Sequence, residues 1–184
     1  MFAQGAPAVL NRAGACDILS CFTALWDWQE SATILGEEYD TDLARDVQRG
    51  MLDRLYSGAP MIKEQSEEGL KLLAELQCAG VTKSEEWGNA RIAEGSEHYL
   101  CYALEAKTKR HYLHGALVGM CTVLAAAVQG QDPAPVVNCL RTLDVDCSFE
   151  AVGTNREELF EVLRDMGTYV TSEKLMPGVF QLHY

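Results

Sequence analysis

The chain has 184 residues, 48% of them apolar, enough for one domain with a substantial core. Its 27 Asp and Glu residues outnumber 15 Lys and Arg, a formal net charge of -12. That balance repels nucleic acid and anionic lipid and argues against a polyanion-binding role, although a few local cations could still hold a small anionic substrate.

In chain order, Met1 to Leu10 carry no positive n-region, so no signal peptide is expected. From Cys16 to about Glu30, Ile18, Leu19, Phe22, Leu25 and Trp26 recur at helical spacing. Asp17 there suits an N-cap or first-turn carboxylate, while Trp26 and Trp28 suit the core and Asp27 a solvated face or an indole hydrogen bond. Asp40-Thr41-Asp42 caps a second helix through Leu43, Val47, Met51, Leu52 and Leu55, closed by Ser57-Gly58-Ala59-Pro60. A third is expected from about Pro60 to Gln77, ending before Gly80. His98 to Lys107 and His111 to Gln129 read as a fourth and fifth. After the break at Asp132-Pro133-Ala134-Pro135, Val136 to Leu143 begin another. Asn155 caps a helix from about Arg156 to Met166, and Gly178 to Tyr184 suit a short extended tail. Strand signals are nearly absent, so the fold expected over 1–184 is a single all-α, multi-helix bundle with short connections.

The longest uncharged apolar run, Gly115 to Val128, is too short to cross a bilayer, and no membrane partner is expected. Seven cysteines without a CxxC pair read as buried free thiols in a reducing cytoplasm.

The chemistry concentrates in Glu94 to Glu105 and Tyr112 to Met120. Two histidines, His98 and His114, lie near glycines at the starts of helical patterns. With Asp17 they make one carboxylate and two imidazoles, a sufficient set for a divalent metal with an open coordination position. Their spacing alone is not a recognised metal signature. Glu97 could steady a ligand histidine or face water, and Arg91 could bind a phosphate or be a plain surface residue. His111 and His183 read as ordinary histidines. No cysteine has a context that would activate it as a nucleophile, and no G-x-S-x-G elbow, G-x-G-x-x-G turn or Walker A loop occurs.

Three blocks resemble the C-terminal helical domain of the dehydroquinate synthase-like and iron-containing alcohol dehydrogenase-like superfamily, within it the sn-glycerol-1-phosphate dehydrogenase family. These are Arg12 to Ser20 continuing to Thr23-Ala24 and Asp27-Trp28, Ala90 to His98, and Leu113-His114-Gly115 through Val118-Gly119. The resemblance implies that Asp17, His98 and His114 bind zinc, nickel or iron. It also implies an NAD(P)-linked dehydrogenase acting on a polyol phosphate, the sn-glycerol-1-phosphate and dihydroxyacetone phosphate pair first. Relatives are implied to associate as oligomers and to carry an N-terminal α/β nucleotide-binding domain. The chain begins almost at the aspartate block, so NAD(P) is expected to be held outside it, and the chain alone is expected to be inactive. Cys16, Cys21, Ile92 and Glu94 depart from the family pattern around the expected substrate pocket. The alternatives are a cyclase of the dehydroquinate synthase type and a non-catalytic helical module.

Overall fold

The computed structural model describes residues 2–184, and among them there is no strand. A short 3-10 turn, Phe2–Gly5, leads into α1 (Ala8–Leu19) and α2 (Cys21–Leu35). After a short loop, α3 (Thr41–Val47), a π turn (Gln48–Leu52) and α4 (Asp53–Lys63) run into one another without a break. Then come α5 (Glu67–Trp87), α6 (Ser96–Thr108), α7 (His114–Val128) and α8 (Ala134–Leu143). The short α9 (Phe149–Val152), α10 (Arg156–Ser172) and the short α11 (Val179–Leu182) complete the chain. The all-α expectation agrees with this architecture.

Several boundaries differ from the sequence reading, each for a local reason. The first helix starts at Ala8 and not at Cys16, so Asp17 lies in the last turn of α1, far from its N-cap. Pro60 lies within α4 and does not close a helix, because Leu55, Ala59 and Ile62 are buried on one face and hold the register past it. The chain turns later, at Gln65 with φ 57°, and Ser66 accepts the Gly69 N–H to start α5. α5 passes through Gly80 and stops at Gly88, whose φ of 93° suits glycine. α7 starts at His114, leaving His111 outside it, and α10 runs on to Ser172. The expected extended tail forms α11.

Two apolar clusters share the interior. One gathers α1, α2, the α3–α5 region and α8 around Leu19, Trp28, Leu52 and Leu76. The other gathers α6, α7, α10 and α11 around Leu100, Leu117, Met166 and Phe180. Helical backbone is continuous from Ala8 to Leu35, since the Ser20 N–H bonds to the Cys16 carbonyl and the Ala24 N–H to that of Ser20. Among the described residues, this 28-residue stretch, and not Gly115–Val128, is the one long and apolar enough to cross a bilayer, and 56% of its most apolar window is buried within the protein. Its polar side chains bond inward: Thr23 to Glu97, and Asp27 to the backbones of Ser96 and Val179. Here it serves as the central core helix.

Trp28 is fully buried, donates Nε1–H to the Glu38 carbonyl at 2.7 Å and packs against Tyr39 and Trp87. Trp26 is partly buried against the second cluster, its ring 5.9 Å from that of His183. Asp27 is also fully buried, so it neither faces solvent nor serves an indole. All seven cysteines are free, and only Cys78 is exposed.

Candidate metal centre

The site is built at the seam between the two clusters. α1 and α7 meet there backbone to backbone: a Cβ on Gly115 would lie 1.9 Å from the Ala13 carbonyl oxygen, so the approach requires glycine. That approach sets His114, the first residue of α7, beside Asp17, one turn along α1 from Ala13. His98 enters from the first turn of α6. The α6 start is pinned by Asp27, whose Oδ2 accepts the Ser96 N–H at 2.6 Å. A Cβ at the Gly95 N-cap would lie 2.7 Å from that same Oδ2.

Asp17, His98 and His114 each offer one donor atom, and the three lie within 4.8 Å of one another. His114 Nε2 is 3.7 Å from Asp17 Oδ1, and the two imidazole centroids are 5.5 Å apart. The Asp17 Oδ1 atom is buried and has no hydrogen-bond partner. A buried carboxylate oxygen without a donor is costly, and a cation among these three groups would remove that cost. The donor set and the orphaned oxygen therefore fit a divalent metal.

Electrostatics are consistent with this. Burial raises the Asp17 carboxyl above its ordinary range, and the charges of His114 and His98 pull it partly back. Burial pulls the His98 imidazole down, yet its hydrogen bond to Glu97 and the charges of Glu97, Glu94 and Asp17 leave it above its usual value. Glu97 is fully buried; its Oε1 accepts the Gly95 N–H at 2.7 Å and lies 3.0 Å from His98 Nδ1. Its Oε2 accepts the Thr23 hydroxyl at 2.6 Å. With Nδ1–H donated to Glu97, His98 leaves Nε2 as a free electron pair, the tautomer a metal needs.

Arg91 is not the plain surface residue that the sequence allowed. It is fully buried, and Nη2 donates to Glu37 at 2.7 Å and to the Asp27 carbonyl at 3.4 Å. His111 is exposed in the α6–α7 connection, and His183 lies 3.1 Å from Glu30. The sequence reading gave Asp27 a solvated face or an indole bond and missed its role, which is to tie α2 to the starts of α6 and α11 at once. A carboxylate set between Trp26 and Trp28 was the available sign.

No family model matches the chain. Curated relatives do. A Thermoplasma volcanium protein named glycerol-1-phosphate dehydrogenase, NAD(P)+, is 27% identical over 159 residues, 86% of this chain and 45% of its own length. Proteins of the same name match from Methanosphaerula palustris, 32% identical over 127 residues (69% and 35%), and Sulfurisphaera tokodaii, 26% over 185 (92% and 53%). By these matches the chain is a homologue of the glycerol-1-phosphate dehydrogenases, and it spans about half their length or less.

Proposed function

We propose that this chain is the metal-holding helical part of an NAD(P)-linked dehydrogenase that oxidises a hydroxyl of a phosphorylated polyol, with glycerol 1-phosphate and dihydroxyacetone phosphate as the substrate pair. The observation that carries the reading is the convergence of Asp17, His98 and His114 within 4.8 Å, in a chain homologous to dehydrogenases of that substrate. Zinc, nickel and iron all suit one carboxylate and two imidazoles. A cation held there supplies Lewis acidity toward a hydroxyl or carbonyl oxygen.

The chain's own residues have definable parts in this. Glu97 holds the His98 ring and its tautomer through the 3.0 Å contact. Thr23 and the Gly95 N–H hold Glu97. Asp17 presents an oxygen that nothing else in the fold satisfies. No glycine-rich phosphate cradle occurs in the 184 residues, so we place nicotinamide recognition outside them and expect no turnover from this chain alone. Seven free thiols support a reducing, cytoplasmic setting.

The test is elemental analysis of the purified chain beside an Asp17→Ala/His98→Ala variant that keeps its helical circular dichroism. Stoichiometric zinc, nickel or iron in the first and its loss in the second is the expected result. Equal metal content would discard the reading in favour of a non-catalytic module. In a protein carrying both parts, NADH formed in proportion to glycerol 1-phosphate consumed separates a dehydrogenase from a cyclase, which returns its cofactor unchanged.

A further inference from the structure

A groove of about 750 Å³ opens beside the candidate metal centre, between α1, α5 and the 88–94 segment. Asp17 forms part of its wall, with two further carboxylates, Glu85 and Glu94. The remaining lining is neutral, including Ile18, Met51 and Val81, and among the described residues no lysine or arginine contributes. The basic residues on these segments are paired elsewhere. Arg12 meets Asp144, Lys71 meets Glu75, Lys83 meets Asp46 and Arg91 meets Glu37.

Glu94 is half-buried and close to His98 and Tyr102. It is among the groups that raise His98, and after burial it is the largest influence raising the phenol of Tyr102. Recesses lined by one sign of charge focus the field they contain. A divalent cation on the three ligands would offset Asp17 and leave one surplus positive charge, facing the two carboxylates Glu85 and Glu94. A phosphomonoester, at roughly -1.5 to -2 near neutral pH, would meet a wall that stays net negative even with that cation counted, and no lysine or arginine of the lining offsets it. An uncharged run of hydroxylated carbons meets no such penalty and can donate hydrogen bonds to the same carboxylates.

We infer that Glu94 makes this wall a charge filter: it receives the uncharged, hydroxylated end of a ligand and turns a phosphate away. The inference rests on the proposed metal centre and refines its substrate class, since the phosphate of a polyol phosphate would then be held by groups outside this wall.

The test uses the whole chain loaded with Co2+, whose visible absorption reports both binding at imidazole and carboxylate and the entry of a further ligand. Glycerol and sn-glycerol 1-phosphate are the probes. In Glu94→Gln the phosphate ester should titrate about three- to tenfold tighter at low ionic strength, with the gain shrinking as salt is added, while the glycerol response stays within about twofold. Equal tightening of both probes, or of neither, overturns the filter. A wild-type chain that shows no cobalt band overturns the metal centre itself and the inference with it. Glu85→Gln, on the exposed rim, should shift the phosphate response in the same direction by less. It replaces Glu94→Gln as the deciding comparison if circular dichroism shows that variant unfolded.

Discussion

Single residues of two kinds support the site: those that would touch the cation and those that fix them. Glu97 is the clearest of the second kind, with three partners on its two oxygens and no exposure to water. Glu97→Gln should lower metal affinity about 10- to 100-fold, measured by competition with a chelator, while leaving Asp17, His98 and His114 in place. Asp27 makes a different prediction. Burial, and then the charge of Glu97, push its carboxyl up to about 6, against hydrogen bonds from Ser96 and Val179 that act the other way. A folded-state value above the unfolded one means that the stability Asp27 contributes is fully present below about pH 4 and is lost as pH rises through about 6. Asp27→Asn should abolish that slope in pH-resolved denaturant melts. It should also cost about 1–3 kcal/mol, because the amide turns an N–H toward one of the two backbone donors. His98, His114 and Asp17 were legible in the sequence because their neighbouring glycines and block order carry information along the chain. Arg91 and Asp27 were not, since their partners Glu37, Ser96 and Val179 lie 54, 69 and 152 residues away.

Among elements, the α1–α7 contact decides whether the site exists. Gly115→Ala would drive a methyl into the Ala13 carbonyl, so a loss on the order of 3 kcal/mol with weakened metal binding is expected in thermal melts with and without zinc. Gly5→Ala meets nothing within 4 Å and should stay within about 0.5 kcal/mol. Ser66→Ala removes the acceptor for the Gly69 N–H and should cost about 1 kcal/mol without touching the site. Helical periodicity announced most of these elements, because a buried apolar stripe is written into the sequence wherever a helix packs. The ends were harder. Ser57 to Pro60 has the composition of a turn, yet burial of Leu55, Ala59 and Ile62 outweighs that local preference. The positive φ of Gln65 and Lys109, where the chain does turn, comes from residue types that do not advertise it.

For the whole molecule, the buried cysteines predict a plain outcome. A thiol reagent added to the native protein should modify Cys78 rapidly, the half-buried Cys147 more slowly, and the five buried thiols only as the fold opens, which mass spectrometry of timed samples can follow. The position of the candidate centre has a wider consequence. Asp17 is flanked by Cys16 and Ile18 of one cluster, while His98 and His114 stand beside Tyr99 and Leu117 of the other. A cation shared by these three side chains would rivet two halves that could otherwise part along their common boundary. Metal retention would then track the mechanical integrity of that joint, so a chelator should accelerate amide exchange along α1, α6 and α7 together, far beyond the residues it strips.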